Sequence, residues 1–463
     1  MRLRAFLLVS AAMVASGAAH AQTRTLQDAL AAAYSNNPTL QTARAQLRAT
    51  DEGVPQALAG WRPTVVIATS VGYGAGDYST KGLGGARSYI PNNRDIFTEQ
   101  ATATQPLYRG GATRATTNQA DNRVYGQRAR LLATEEQVFS DTVNAYVMVI
   151  QQQQTLQLNI NNEQVLARQL QATQDRFRVG EITRTDVAQA EAALAGARAT
   201  RQTSEGNLQI ARGNYRRYVG ELPDRLVEPQ PLKVPVKDQN EAVQLASHNN
   251  PNVVAALFDD AAARDNIDLQ FAALMPQVSL QAQAARSDNS TLYGQRSIGA
   301  QVLLNASVPI YQGGAEYSRV RQARQQEQQA RKTVDDIRRQ VTQQANQGWE
   351  TLVAARSTID STRAQIRANQ IALEGVQREA IVGSRTTLDV LNAEQALLNS
   401  RVTLVQNLAS LITASYTLAA SIGRLSARDL NLNVPLYDDT AYYNAVKNRL
   451  FGTSDYATGQ PGR

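Results

Sequence analysis

The chain contains two copies of one pattern. Ser35–Pro38 (Ser-Asn-Asn-Pro) returns as His248–Pro251 (His-Asn-Asn-Pro), an offset of 213 residues. A period near 200 residues predicts a duplicated unit rather than a solenoid of short repeats. Later matches hold at an offset of 203: Pro106–Gly111 with Pro309–Gly314, and Val179–Gly180 with Val382–Gly383. The ten-residue change of offset predicts one loop that is longer in the first copy.

The repeat predicts the domain organisation. The first structural repeat covers residues 22–225, a Pro-rich linker covers 226–237, the second repeat covers 238–425, and a tail covers 426–463. The end of this tail, from Thr453 onwards, is rich in Gly, Ser, Asp and Pro, so the tail is expected to be partly disordered.

The N-terminus has the features of a secretory signal peptide. Arg2 and Arg4 precede an apolar stretch, and Ala19-His20-Ala21 is an A-x-A cleavage site, so residues 1–21 are predicted to be removed. The alternative, a membrane anchor, is disfavoured because the stretch is short for about 30 Å of hydrocarbon. No other segment has 18 consecutive apolar residues, which argues against a transmembrane helix.

Composition excludes several kinds of site. The chain has no Cys and two His, which removes disulfides and thiolate metal sites. We find no phosphate-binding Gly loop and no nucleophile motif, so no catalytic residue, cofactor or metal is expected and the protein is predicted not to be an enzyme. The net charge of +7 comes mainly from Arg scattered along helices, so no nucleic-acid partner is expected.

Two Pro-free stretches of 67 residues, 112–178 and 315–381, predict very long helices. Each would extend roughly 100 Å and would need lateral support. Apolar residues spaced seven apart predict that support as coiled-coil seams. They are Val124, Leu131, Val138 and Ala145 in the first copy, and Leu352, Ile359, Ile366 and Leu373 in the second. Return helices are predicted over 184–219 and 387–424, which makes a helical hairpin in each half.

Alternating residues before each long helix predict strand pairs, at about 63–108 and 276–310. Turn-rich loops, including Gly72–Asn93, are expected between the strands. Runs of about 9–11 residues suit tilted membrane-spanning strands, and the alternative is a soluble hairpin with one wet face. Four strands leave two open edges, which lipid does not tolerate, so several chains are expected to share one barrel.

The motifs together resemble the TolC family of outer-membrane export channels. The run Pro309–Gly314 resembles the start of that family's second long helix, and Val382–Ala393 resembles its periplasmic tip turn. The resemblance covers essentially Thr25–Leu432, with the first-half counterpart of the tip at Val179–Val187.

The resemblance implies an α+β membrane protein and a homotrimer. Four strands per chain would form a twelve-stranded β-barrel in outer-membrane lipid, continuous with a periplasmic α-helical coiled-coil barrel. The function implied is a passive export duct for drug efflux, type I protein secretion or both. Its partners would be a periplasmic adaptor (membrane fusion protein) and an inner-membrane pump of RND or ABC type.

The resemblance also implies a periplasmic gate. Arg385 is expected to reach the Thr185-Asp186 pair of a neighbouring hairpin. Asp389 corresponds to an acidic ring at the aperture, whereas Asn392 is neutral where some members have a second ring. Ala380 replaces a Tyr that links the gate in other members. The alternative for Asp186 and Asp389 is stabilisation of a helix start by the helix dipole.

Two further sets of residues complete the candidate sites. The tip turns are Val179, Gly180, Val382 and Gly383. The strand-to-helix joints are Pro106, Gly110, Gly111, Pro309, Gly313 and Gly314. A competing interpretation of the whole chain, a periplasmic coiled-coil adaptor or scaffold, explains the signal and the heptads. It does not explain two strand pairs that each have an apolar face and a Gln/Thr/Ser face.

Overall fold

In the computed structural model of the protein, residues 25–82 and 84–454 are described. The predicted signal peptide, residues 1–21, and the last part of the tail, residues 455–463, lie outside the described residues. None of the described helices is both long enough and apolar enough to cross a membrane.

The first repeat contains short helices, then strands, then a long helical hairpin. Its elements are α1 Leu26–Asn36, α2 Pro38–Asp51, α3 Gly53–Leu58, a 3-10 turn at Ala59–Trp61, β1 Thr64–Gly74, β2 Asp77–Lys81, β3 Arg87–Pro91, β4 Arg94–Arg109, α4 Ala112–Arg178 and α5 Arg184–Val219.

The second repeat follows the same order, and a short helix in the tail comes last. Its elements are α6 Gln239–Asn249, α7 Pro251–Ala272, β5 Gln277–Asp288, β6 Arg296–Ser307, α8 Ala315–Ile381, α9 Thr387–Ser421 and, in the tail, α10 Ala441–Val446. The helix α9 ends three residues before the predicted residue 424. Gly423 has φ 72° and the Arg424 N–H donates to Ala419 O, so a left-handed glycine turn ends the helix.

Each long helix packs along its return helix, α4 with α5 and α8 with α9, while α7 contacts both α4 and α8. The heptad seams face inward as their spacing indicates. Val124, Val138, Leu352 and Ile359 are buried, and Ile366 is half-buried. Two helices of 67 residues are therefore supported along their length by neighbours rather than by a globular core.

The repeated Asn-Pro motif joins each pair of short helices to a return helix. The side chain of Asn37 accepts from Thr39 N and donates to Tyr218 O near the end of α5. Asn250 does the same, accepting from Asn252 N and donating to Ser421 O at the end of α9. One amide thus caps a helix start and satisfies a carbonyl at a helix end.

The main core lies where α1 and α2 pack on α4 and α5. The rings of Tyr34 and Phe139 lie 6.2 Å apart, as do those of Tyr146 and Tyr215. The Tyr146 hydroxyl donates to Val227 O at 2.7 Å, which fastens the linker to this core. Burial raises the pKa of Tyr146 to about 12, so the hydroxyl keeps its proton and remains a donor.

Four strands form one antiparallel sheet in the order β1-β4-β5-β6. The first strand pair holds more than the expected turn-rich loop, because β2 and β3 form a separate two-stranded ribbon within Gly72–Asn93. The loop prediction was wrong for this segment. Its strands have only five residues each and Gly-rich flanks, which leaves too few residues for a clear alternation.

The part of the tail that the structure describes packs against the helices, and the stretch expected to be disordered, from Thr453 onwards, lies almost entirely outside the described residues. Leu425, Ala427 and Val446 are buried. The Glu135 carboxylate accepts from Ala427 N at 2.6 Å, and Glu136 accepts from Leu425 N at 3.5 Å. Burial raises the pKa of Glu136 to about 8. Long-range side-chain partners, which composition does not reveal, hold this segment in place.

Candidate functional site

The four-stranded sheet has one apolar face. Its pairing register places Val65, Ala103, Ala282 and Val302 in a single row across the four strands. Parallel rows on the same face add further apolar side chains, among them Ile67, Val71, Phe97, Leu280, Ile298 and Leu304. Val65, Ile67 and Val302 are exposed in the single chain, so this face needs an apolar environment.

The opposite face is polar and largely uncharged. One row across the strands contains Val66, Thr102, Gln283 and Gln301, and the next contains Thr64, Thr104, Gln281 and Leu303. The Gln301 amide donates to Gln283 at 3.1 Å, and the Asn305 amide donates to Gln281 at 3.0 Å. Amide and hydroxyl groups can form hydrogen bonds with solutes of either charge.

Charged residues on the apolar face are confined to the end of the sheet away from the helices. Arg286 and Arg296 both contact Asp288, at 2.7 and 2.9 Å, and Glu99 lies opposite Arg286 in the register. Ion pairs of this kind do not belong in hydrocarbon, so this rim marks the limit of the apolar band.

The strand-to-helix joints depend on left-handed glycines. Gly110 and Gly111 have φ 62° and 89°, and Gly313 and Gly314 have φ 72° and 81°. The first joint is also tightly packed, since a Cβ on Gly110 would lie 2.5 Å from Met275 Cβ and 2.6 Å from Ala272 O. Pro106 sits at a register shift in β4, where a missing N–H is tolerated, and Pro309 follows the end of β6.

Both tip turns have the same backbone. Gly180 and Gly383 have φ 78° and 82°. The Glu181 N–H donates to Arg176 O, and the Ser384 N–H donates to Glu379 O, each at 3.0 Å. This is the Schellman pattern that ends a helix with a left-handed residue, and it reverses the chain at the end of each hairpin.

Each return helix then begins with a capping box. Asp186 Oδ2 accepts from Thr183 N and from Thr183 Oγ1, and Asp389 Oδ2 accepts from Thr386 N and from Thr386 Oγ1. These bonds, with Arg385 nearby, hold the pKa of Asp389 below its usual value. Helix-start stabilisation, one of the two roles considered for these carboxylates, therefore has direct geometric support.

An ion pair spans each tip turn, and the order of the basic and the acidic residue along the chain is opposite in the two tips. In the first tip Arg176 precedes the turn and contacts Glu181 at 2.9 Å. In the second tip Glu379 precedes the turn and contacts Arg385, also at 2.9 Å. Since 379 − 176 = 203, Arg176 and Glu379 occupy equivalent positions of the two repeats.

The expected gate residues are thus placed as follows. Arg385 binds Glu379 of its own hairpin, and this contact raises the pKa of its guanidinium. Within a single chain, the ion pairs of residues 25–82 and 84–454 do not include Arg385 with Asp186. Thr185 and Asn392 are exposed, and Asp389 is half-exposed. All of these residues lie within the first turns after the tips.

In each hairpin, one hydrogen-bonded pair of polar side chains, at least partly buried, joins the long helix to the return helix some distance from the tip. The Asn159 amide on α4 donates to Ser204 Oγ on α5 at 2.7 Å. In the second hairpin the Asn407 amide on α9 donates to Thr362 Oγ1 on α8 at 3.0 Å. Buried polar pairs of this kind fix the register of a coiled coil. These pairs were not predicted from the sequence, although the offset of 203 relates Asn159 to Thr362 and Ser204 to Asn407.

No cluster of three or more potential metal ligands occurs in the part of the chain that the structure describes.

Comparison with known proteins assigns the chain to a family. Residues 29–221 and 242–424, one stretch in each repeat, match the family described as "Outer membrane efflux protein". The chain belongs to this family. Its members are channel proteins of the outer membrane, which confirms the resemblance to TolC and the location deduced from the sequence.

Individual relatives cover nearly the whole chain. The chain is 34% identical over 454 residues to outer membrane efflux protein BepC of Brucella suis biovar 1 (strain 1330), covering 96% of each. It is 24% identical over 432 residues to outer membrane protein TolC of Escherichia coli (strain K12), covering 88% of this chain and 84% of TolC.

A solved structure shows the same fold. The outer membrane protein VceC from Vibrio cholerae superimposes with a TM-score of 0.73 at 21% identity, over 86% of this chain and 96% of VceC. The TolC-like fold predicted from the sequence is therefore confirmed, and the family is that of an efflux channel rather than a periplasmic adaptor.

We expect Gly110→Ala to destabilise the protein, because an alanine at positive φ costs about 1–2 kcal/mol and its Cβ would collide with Met275 and Ala272. The measurement is the thermal unfolding midpoint of detergent-solubilised protein. Gly206→Ala is the matched control, since Gly206 lies within α5 and its Cβ would meet nothing within 4 Å. That variant should unfold at the same or a higher temperature. Equal midpoints for both variants would contradict the tight joint.

Proposed function

We propose that the protein is the outer-membrane duct of an export system, working as a homotrimer without chemistry of its own. The observation that supports this most is the sheet, with an apolar face, an amide-rich face and two unpaired edges. Three copies supply twelve strands, which close into a barrel with the polar face towards the lumen and the apolar face towards lipid.

The strand directions favour such closure. Neighbouring strands of the sheet are all antiparallel, so β1 and β6 run in opposite directions. The β1 edge of one copy can therefore pair with the β6 edge of the next copy in the same antiparallel manner. Each junction satisfies backbone groups that would otherwise face hydrocarbon without partners.

Disulfide trapping tests the closed ring, and the Cys-free chain allows it without background. Thr69→Cys on β1 is combined in turn with Ile298→Cys, Ala300→Cys or Val302→Cys on β6, all on the apolar face. We expect at least one combination to give linked dimers and trimers, and nothing larger, on a denaturing gel after oxidation.

The control combines Ala101→Cys with Ala284→Cys, which lie opposite each other within one chain, and it should remain monomeric. Ladders beyond three copies, or no linkage between chains for any combination, would contradict the trimeric barrel.

The tips are the proposed docking points for a periplasmic adaptor and, through it, an inner-membrane pump of RND or ABC type. Val179 and Val382 are 72% and 79% exposed at equivalent positions of the two tips. Both sit beside left-handed glycines in the tip turns, so each hairpin presents an exposed apolar side chain at its end. Exposed apolar groups on such turns are suited to burial against a partner.

Photo-crosslinking in cells tests this docking and indicates the cargo. A photoreactive residue at Val382 should capture the adaptor, whereas one at Ile371, equally exposed on the flank of α8, should not. The class of pump recovered with the adaptor separates drug efflux from type I protein secretion. Equal capture at both positions would argue against docking at the tip.

We also propose that the resting duct is closed by Arg385 reaching Asp186 of a neighbouring hairpin. In the single chain Arg385 contacts Glu379 instead, so the guanidinium has two candidate acidic partners. Exposed ion pairs are worth about 0.2–1 kcal/mol each. Three symmetric links would add to a few times that value, enough to bias a gate without locking it.

Neutral replacements of similar shape separate the two partners. Arg385→Gln and Asp186→Asn should each raise single-channel conductance in planar bilayers, because both remove the link between hairpins. Glu379→Gln should not raise it, because this change leaves Arg385 free to engage Asp186. If Glu379→Gln opens the channel as Arg385→Gln does, while Asp186→Asn has no effect, the restraint lies within one hairpin instead.

Asp389 is proposed as the acidic ring of the aperture, repeated three times around the axis. Three converging carboxylates attract cations, and with Asn392 neutral there is a single ring at the aperture. Asp389→Asn should abolish block by multivalent cations such as La³⁺, and Asn392→Asp should strengthen it. The asparagine amide oxygen can still accept from Thr386, so capping is largely kept. Unchanged block with a lower unfolding temperature would assign Asp389 to helix capping alone.

A further inference from the structure

The ribbon formed by β2 and β3 carries an unusual pair of charges. Lys81 lies directly opposite Arg87 in the pairing register, at the end of the ribbon farthest from the sheet. Opposite residues have Cβ atoms about 4.5–5.5 Å apart, and like charges in this arrangement are destabilising. Among the described residues, neither cation has an acidic side chain in ion-pair contact.

Two further groups lie next to this pair on the same face of the ribbon, with Asp77 at its base. Alternation along β2 and β3 places the cross-strand pair Ser79 and Tyr89 on the side of Lys81 and Arg87. Tyr89 is 62% exposed. Two cations beside an exposed aromatic ring and a hydroxyl form a surface suited to a phosphorylated sugar, which presents anionic oxygens and an apolar ring face.

The base of the ribbon is firmly positioned. The Asn92 side chain donates to Thr291 O and accepts from Tyr293 N in the loop between β5 and β6. The Arg94 guanidinium donates to Asn289 O and Ser290 O of the same loop. The ribbon is thus an element held by the second repeat, and only the first repeat has one.

Its position relative to the sheet indicates where the charges lie. The ribbon leaves the sheet beyond the charged rim of Arg286 and Asp288, at the end opposite the helices. Each ribbon strand of five residues is about 17 Å long. Since the helices extend into the periplasm, the Lys81 and Arg87 pair lies outside the cell, above the outer leaflet.

We propose that this face of the ribbon binds sugar-linked phosphates of the outer-leaflet lipopolysaccharide. The phosphates neutralise two cations that otherwise repel each other, and Tyr89 covers a sugar ring. The inference uses the outer-membrane location and not the export activity, so lipid binding and conductance are independent measurements.

Binding of purified full-length protein to lipopolysaccharide with a phosphorylated core tests this directly. The same lipopolysaccharide after chemical dephosphorylation is the comparison. We expect the intact lipid to bind about tenfold or more tightly, since each basic residue near an anionic surface contributes on the order of a few-fold in affinity. The preference should weaken with salt.

The double variant Lys81→Gln, Arg87→Gln should lose the preference for the phosphorylated lipid and keep the fold, because it relieves a repulsion between exposed residues. Asp77→Asn, on the same face at the base of the ribbon, is the matched control and should retain it. Channel conductance should be unaltered in the double variant.

Three results would overturn the proposal. One is a preference that survives in the double variant, and another is the absence of any preference in the wild-type protein. The third is displacement of the lipid by inorganic phosphate at equal concentration, which would indicate a general anion site.

Discussion

Unpaired backbone groups on β1 and β6 constrain the rest of the molecule. Each strand edge presents N–H and C=O groups that hydrocarbon cannot satisfy, and each unsatisfied group costs several kcal/mol in lipid. The helices cannot help, because they extend from the other end of the sheet. Pairing with further copies is the available solution, and it also orients the helical hairpins. In the proposed trimer a ring of sheets places the helical hairpins in a ring, so that the tip turns would converge on one axis.

The two repeats share backbone geometry at several positions, while some of the side chains on that backbone differ. Backbone geometry is retained, as in the capping boxes of Asp186 and Asp389 and in the Asn37 and Asn250 connections. Side chains on that backbone have diverged, as in the reversed ion pairs of the two tips. Two copies with unlike charges can meet as complementary neighbours, which identical copies cannot.

Features that depend on local sequence patterns, such as the long helices, could be predicted from the sequence. Features that depend on contacts between residues far apart in sequence could not. The Pro-free stretches predicted the long helices, and the seven-residue spacing that includes Val124 and Val138 predicted how they pack. The packing of the tail was not predicted, since nothing near Ala427 in sequence shows that Glu135 accepts its N–H. The ribbon was missed because five-residue strands carry little alternation. In the candidate site the turns were predictable, whereas the contact of Arg385 with Glu379 depends on the Schellman geometry that brings residues six apart together.

The partner choice of Arg385 bears on how a gate of this kind can open. Its contact with Glu379 lies within one turn and is available whatever the neighbouring hairpin does. The proposed link to Asp186 would form only when two hairpins are close, so breaking it would return the guanidinium to the Glu379 carboxylate rather than to water. The observed pair is exposed, and the proposed pair would also lie at the exposed tips, so each is expected to contribute about 0.2–1 kcal/mol. In this proposal the exchange would cost little net free energy, and a docked partner that separates the hairpins by burying Val179 and Val382 would have to supply only about a few kcal/mol across three copies.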